Sequence, residues 1–355
     1  MRTALALLAL SVAIPSAARE RRGAVAFHYG GPLPASEIEW YGRFDVVVTH
    51  DPLQPILVDA LHARGARVVL YEWSVAFYAS RADSWQQRLL HDGRGLLNTR
   101  PLRGGSGAAD ADAYYFDPAT REHRVERARA IAEHLRAIHY DGVFLDTTRF
   151  ENVHPDAASE YTRRHPDVAY DAAFAEFMKT LRAEVKVIIT NQGYRDAQHY
   201  LPFADYDVTE SLITYNGHLR PWIDAGDRWN SIEFVMRTIV APVMKRYPRV
   251  RFVHLNYMAN VDGHSVEPVV AIARLFGADA FVALPSISAP PSTGIYFEEP
   301  GPAETPIRRA AGGLVAYRRF EHQLVVVNMS PHPFAIGDHK VAAGRAVIIR
   351  RHAHS

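Results

Sequence analysis

Two acids in this chain stand where a carboxylate could do chemistry. Asp146 closes the run Tyr140-Asp141-Gly142-Val143-Phe144-Leu145-Asp146, and Glu210 closes Asp205-Tyr206-Asp207-Val208-Thr209-Glu210. The first run has the apolar texture of a strand buried on both faces, as in a parallel sheet; the second is a weaker version of it. A carboxylate at the exit of such a strand lies at the carboxyl end of the sheet, where α/β enzymes place their reactive groups. The alternative for Asp146 is a cap on the next helix or turn.

Other short runs end in the same way. Their last residues include His28-Tyr29, His50-Asp51, Tyr71-Glu72-Trp73, Asn191 and Asn256-Tyr257, with Tyr194 and Tyr215 close behind. Two carboxylates, an amide and a set of aromatic rings suit the cleavage of a glycosidic bond. One acid protonates the departing oxygen while the other attacks or activates water. Aromatic faces pack on the apolar faces of sugar rings. Singly, each residue has a plainer reading: Glu72 as an internal ion pair, Asn191 as a turn former, the tyrosines as rim residues with wet hydroxyls. Their recurrence at strand after strand favours the joint reading. Asp146 and Glu210 are therefore expected to be catalytic. Tyr29, His50, Asp51, Tyr71, Glu72, Trp73, Asn191, Tyr194, Tyr215, Asn256 and Tyr257 are expected to contact substrate.

The elements that must position these residues alternate along the chain. Strands are expected at Ala24 to Phe27, Asp45 to Thr49, Arg67 to Leu70 and from Val143. Further strands are expected at Val187 to Thr190, Tyr206 to Thr209, Val250 to Leu255 and Phe281 to Leu284. Helical spacing appears between them. Ile56, Leu57, Ala60 and Leu61 share a face, as do Val125, Ala128, Ile131, Ala132 and Leu135, and then Phe174, Phe177, Met178 and Leu181. Eight strands alternating with helices imply a (β/α)8 TIM barrel. An open doubly wound sheet is the competitor, but no glycine-rich phosphate turn follows the first strand. The segment from Gly93 to Ala113 lacks a period and is expected to be an irregular lid or binding loop. Pro306 to Ala311 looks helical. After it come three β-type runs, Leu314 to Tyr317, Leu324 to Val327 and Ala346 to Ile349, split by turn residues. They imply a small C-terminal antiparallel β appendage.

Composition narrows the class. The 355 residues carry a net charge of +1, so no basic field invites nucleic acid. Arg2, the apolar Leu5 to Ile14 and the small residues Ser16-Ala17-Ala18 read as a signal peptide over residues 1–18, cleaved near Ala18. No apolar run is long enough to span a bilayer. The absence of cysteine removes disulfides, thiolate catalysis and a lipoprotein anchor. The expected organisation is a barrel over 19–311 and a β subdomain over 312–355, exported to the periplasm or beyond. It is expected to be monomeric, with no metal and no cofactor.

The runs ending in Asp146 and Glu210, with Ile189-Thr190-Asn191-Gln192-Gly193 between them, resemble glycoside hydrolase family 114, the endo-α-1,4-polygalactosaminidases and their barrel-shaped relatives. The resemblance follows the order of elements from Ala24 to Leu284. It implies Asp146 as nucleophile, Glu210 as acid/base and Asn191 beside the sugar. The placement of the acids on strands four and six resembles retaining α-galactosidase-type barrels, which implies retention. The expected substrate is an α-linked exo- or cell-surface polysaccharide, possibly galactosaminoglycan-like. The chain departs from the family pattern at Thr147-Thr148-Arg149, where an Asn and a second acid usually follow the nucleophile. It departs again at Glu72-Trp73-Ser74, where small residues are usual. Two other readings compete. One is a metal-dependent barrel hydrolase using His28, His50 and His254, although the first strand lacks a His-x-His pair. The other is a carbohydrate-binding barrel whose catalytic pair has decayed. A serine hydrolase is disfavoured because no Gly-x-Ser-x-Gly elbow occurs.

Overall fold

The computed structural model describes residues 21–29, 32–102, 112–146, 148–191, 199–258, 263–283 and 294–351. Eight parallel strands follow one another around a barrel in chain order. They are β1 (Gly23–His28), β2 (Phe44–Thr49), β3 (Arg67–Trp73), β4 (Gly142–Asp146), β5 (Val187–Asn191), β6 (Tyr206–Glu210), β7 (Arg251–Tyr257) and β8 (Asp279–Ala283). β8 closes on β1 through side chains: the Phe27 and Phe281 rings are 5.8 Å apart, and no ladder joins these strands among the described residues. The expected (β/α)8 barrel is the observed fold.

Helices cover the outside: α1 (Pro55–His62), α2 (Ser84–Asp92), α3 (Arg121–Ala137), α4 (Pro155–Arg164) and α5 (Tyr170–Glu184). α6 combines Ile232–Val235, a π-helical turn Met236–Val240 and Ala241–Arg246, and α7 is Gly263–Phe276. The faces expected on α3 and α5 are buried apart from half-buried Val125, but the one expected on α1 is not: Ile56 is 71 % exposed, and Val58 with Leu61 turns to the core instead. Ala128, Ile131, Ala132 and Leu135 of α3 and Phe174, Phe177, Met178 and Leu181 of α5 are at most 4 % exposed. Between β5 and β6 the described residues hold only the 3-10 turn Leu201–Phe203. Strict strand–helix alternation is therefore not seen there.

Gly142 opens β4 for a steric reason. A Cβ at this position would lie 2.1 Å from the Val187 carbonyl oxygen of β5, so any side chain would force those strands apart. The opposite end of the barrel from the candidate site is closed by charge. Arg21 meets Asp279 at 2.5 Å, and Arg251 meets Asp45 at 2.6 Å and Asp279 at 3.1 Å. Burial works to raise the Asp279 pKa, but Arg21 and Arg251 outweigh it and hold the carboxyl below its ordinary value.

Two expectations need correction. The segment after Gly93 is not irregular throughout. Asn98 accepts from Tyr115 N at 2.7 Å and donates to Ala113 O at 3.1 Å, and Ala76–Tyr78 pairs with Ala113–Tyr115. Residues 103–111 lie outside the described residues. The piece expected to be helical around Pro306 to Ala311 is instead the strand β9 (Arg308–Ala310), followed by a 3-10 turn. Pairing decides its state: Arg309 sits opposite Ala316, and Ala310 opposite Val315. Good intrinsic helix formers yield when a sheet edge offers them a ladder.

β9, β10 (Val315–Arg319), β11 (Gln323–Asn328) and β14 (Arg345–Arg350) form an antiparallel sheet in that order. A hairpin, β12 (Phe334–Ile336) and β13 (His339–Val341), covers one face. Leu324, Val326 and Val341 form a small core on that side, while Ala316, Val325, Val327 and Ala346 join the barrel's own core on the other. Among the described residues no helix is long and apolar enough to cross a membrane.

Candidate active site

The two principal acids end β4 and β6, with β5 between them, and they meet through Asn191 at the end of β5. The Asn191 amide nitrogen donates to Asp146 Oδ1 at 2.8 Å and to Glu210 Oε2 at 3.3 Å. Those two oxygens share one donor, so they are at most about 6 Å apart. Thr148 donates to the Asn191 backbone carbonyl at 2.6 Å and fixes the strand end that carries this amide. Asn191 is 5 % exposed, and its Oδ1 is buried with no hydrogen-bond partner among the described residues.

Each acid has a second donor. Tyr71, on β3, donates to Asp146 Oδ2 at 2.6 Å, and Trp73 Nε1 donates to the Tyr71 hydroxyl at 2.9 Å. Tyr257, on β7, donates to Glu210 Oε1 at 2.9 Å. The environment acts on the protonation of Glu210. Burial pushes the Glu210 pKa up, and the neighbouring Asp146 charge pushes it further. The bonds from Tyr257 and Asn191 only partly offset this. The phenols of Tyr71 and Tyr257 are themselves raised, chiefly by burial and then by the acids they face, so both remain protonated donors.

Aromatic rings form the floor. The Tyr71 ring stacks between His50, at 4.8 Å, and Phe144, at 5.6 Å. Tyr29 stands edge-on to His50 at 6.3 Å and to Tyr71 at 6.4 Å, and it is buried beside Tyr257. Of the expected contacts, Tyr29, His50, Tyr71, Trp73, Asn191 and Tyr257 are thus gathered around Asp146 and Glu210. Phe144 completes the floor and was not anticipated, although it lies two residues before Asp146 and so on the same face of β4.

The remaining candidates are placed differently. Glu72 points to the opposite face of β3 from Tyr71 and Trp73, and there it pairs with the buried Arg127 of α3 at 3.2 Å. This is the internal ion pair of the plainer reading. Exposed Asp51 sits beside His50 at 3.6 Å; with Glu72 it lines a cavity of ≈ 340 Å³ that His50, Tyr71 and Trp73 of the site also line. Asn256 faces away from the acids and is fully buried. Its Oδ1 accepts from Ile213 N at 3.1 Å and Thr214 N at 3.0 Å, and its amide donates to His254 O at 3.0 Å. Asn256 is a latch on the segment after Glu210, its hydrogen-bonding capacity spent on protein backbone. Tyr215 is on the rim and 62 % exposed. Tyr194 lies outside the described residues.

The histidines of the metal alternative are dispersed. His28 is buried against Tyr41, and His50 is stacked on Tyr71. His254 is fully buried in β7, where burial pushes its pKa down to about 4. Among the described residues no three His, Asp or Glu side chains are placed to hold one metal ion.

No protein-family model matches the chain, and no curated protein matches it in sequence. Solved structures do match. The glycoside hydrolase domain of PelA from Pseudomonas aeruginosa is 20% identical over 74% of this chain and 95% of that one, with a TM-score of 0.50. The alpha-galactosidase TtGalA from Thermus thermophilus, in complex with p-nitrophenyl alpha-D-galactopyranoside, is 15% identical over 88% of this chain and 67% of that one, with a TM-score of 0.51. Amy13B of Eubacterium rectale is 8% identical over 95% and 97%, with a TM-score of 0.57. At these identities the likeness is one of fold.

Proposed function

We propose that this chain is a glycoside hydrolase that cleaves an α-linked polysaccharide with retention of configuration, Asp146 acting as nucleophile and Glu210 as acid/base. One observation carries the reading: the single Asn191 amide that bonds both carboxylates. Retaining glycosidases place their carboxyl groups about 5–5.5 Å apart, whereas inverting ones leave roughly 6.5–9.5 Å for a water. Two acids sharing one donor fit the shorter spacing. The same fold serves the glycoside hydrolase domain of PelA and the Thermus alpha-galactosidase.

The division of labour follows from the surroundings. Asp146 is held by donors on both oxygens, which aims it and satisfies its anionic form. Glu210, its pKa raised by burial and by Asp146, carries the proton that the leaving oxygen needs. Attack by Asp146 on the anomeric carbon forms a glycosyl ester as Glu210 hands its proton to the departing sugar. Glu210, now ionised, takes a proton from water, and the hydroxide displaces Asp146 from the anomeric carbon. The residue-level resemblance to glycoside hydrolase family 114 directs the substrate towards galactosamine-containing polymers outside the cell, which accords with export by the amino-terminal segment.

The test is release of reducing ends from α-1,4-linked polygalactosamine and from α-galactans. Asp146→Asn and Glu210→Gln should each lower turnover by about 10²–10⁴-fold or more while leaving the fold intact. Full activity in either variant refutes the assignment.

A further inference from the structure

The segment between Glu210 and α6 is an unusual piece of surface. Of the six large hydrophobic side chains that are exposed among the described residues, four lie between residues 215 and 229: Tyr215, Leu219, Ile223 and Trp229. Single exposed apolar side chains are ordinary, but a concentration in one loop at the mouth of a candidate active site marks a binding surface.

The loop is also tied down by hydrogen bonds. Thr214–Tyr215 and His218–Leu219 form a hairpin around Asn216-Gly217, whose φ values of 49° and 80° suit the two-residue turn that Asn-Gly favours. Thr214, the neighbour of Tyr215, is buried and bonded to Asn256 and to the Tyr257 backbone, so the two side chains of this short strand face opposite ways. Tyr215 is thereby held outwards, its side chain 62 % exposed. Gly217 pairs with Met258, the residue after Tyr257, which places the hairpin beside the strand whose tyrosine holds Glu210. Arg220 donates to Trp229 O at 3.3 Å and to Asn230 Oδ1 at 2.9 Å, so both exposed aromatic residues belong to one hydrogen-bonded unit. Trp222 Nε1 donates to Gly313 O at 2.9 Å and braces this unit against the C-terminal sheet.

We infer that the loop from Thr214 to Trp229 is an outer binding lip for a polysaccharide chain, with Tyr215 and Trp229 as platforms for sugar rings beyond those at the carboxylates. The inference rests on the glycosidase reading and adds to it that the substrate is a polymer several rings long. A sugar ring offers an apolar face to a flat ring, and a fixed exposed aromatic side chain gives contact area at little entropic cost. Continuity with the cleft selects this occupant over a protein partner, since the hairpin joins the active-site strands through Met258 and Asn256.

The experiment compares Tyr215→Ala and Trp229→Ala with the unaltered full chain on two substrates: α-1,4-linked polygalactosamine and a p-nitrophenyl α-D-galactosaminide, whose single sugar reaches only the carboxylates. Each variant should lower kcat/KM on the polymer by about five- to tenfold, mainly through KM, and leave the aryl glycoside unchanged. Equal loss on both substrates, or no loss on the polymer, overturns the lip. Retention by polygalactosamine-coated resin, measured in a Glu210→Gln background, reads the lip without turnover. Tyr215→Ala must weaken it. If the unaltered chain cleaves neither substrate while that retention depends on Tyr215, the glycosidase reading fails and the lip stands.

Discussion

Asn191 gives the pair of acids its asymmetry as well as its spacing. One amide serves both carboxylates, yet Asp146 gains Tyr71 at 2.6 Å whereas Glu210 gains Tyr257 at 2.9 Å in a setting whose burial raises its pKa. Glu210 is thus the group whose pKa its surroundings push up. The Tyr257 hydroxyl works against this, because a donor to the carboxylate favours its charged form. Tyr257→Phe removes that donor and keeps the ring, so the Glu210 pKa should rise further. Activity that needs the protonated acid is lost as pH climbs through that pKa. The alkaline limb of kcat/KM should therefore move to higher pH in Tyr257→Phe, read as a pH profile on any turned-over substrate. A limb that stays put or moves down would show that Glu210 is not the acid. Stability has a related sign: a carboxyl with a raised folded-state pKa favours folding below its ordinary value and loses that contribution as pH rises through the raised one.

At the scale of elements, alternation along the strands sorts the candidates. β3 runs on through Tyr71-Glu72-Trp73 and β7 through Asn256-Tyr257, two or three residues further than their apolar content suggests. Within a strand successive side chains oppose each other. Tyr71 and Trp73 therefore face the acids while Glu72 turns to Arg127, and Tyr257 reaches Glu210 while Asn256 turns to the segment after it. The sequence shows which residues stand at strand ends, and the barrel order follows from eight such runs. It does not show where a strand stops, so it could not separate neighbours with opposite tasks. Asp146, Asn191 and Glu210 were legible because each terminates its strand on the inward parity. The Arg308–Ala310 strand was hidden because its residues favour a helix in isolation and only their partners on β10 decide otherwise. The latch role of Asn256 has a measurable consequence. Asn256→Ala would strand the buried N–H groups of Ile213 and Thr214, at roughly 1–3 kcal/mol for each group. Denaturant unfolding should show a loss of about 2 kcal/mol or more. Activity should fall with it, because the lip after Glu210 loses its anchor. A variant that is fully stable would return Asn256 to the substrate contacts.

The whole molecule is tied together across the seam between barrel and C-terminal sheet. α7 is packed on both sides: on its barrel side against β8, and on its other side against β11 and β14, with Ala316, Val325, Val327 and Ala346 sharing the barrel's core. Polar bonds set the register of that contact. Glu267 of α7 accepts from Ile348 N at 3.1 Å, and Arg274, 3 % exposed, donates to Gln323 Oε1 of β11 at 2.9 Å. Arg274 also bonds the Ile295 carbonyl, while Gln323 donates to Glu298 at 3.1 Å. A guanidinium so deeply buried depends on every acceptor it has, since an unmet charged donor costs more than a neutral one. Gln323→Ala removes one such acceptor and one donor and leaves the strand otherwise able to pair. Because the sheet and the barrel share one core, the loss should be felt by both as a single event. We expect one cooperative thermal transition in the unaltered chain. In Gln323→Ala the transition should still be single and shifted down, with about 1.5–3 kcal/mol less stability for the lost bond to a charged group. Calorimetry checks this directly. Two resolved transitions, with only the smaller one moved by Gln323→Ala, would mean that the C-terminal sheet is a separate folding unit, and its brace on Trp222 would then be a contact between neighbours that unfold independently.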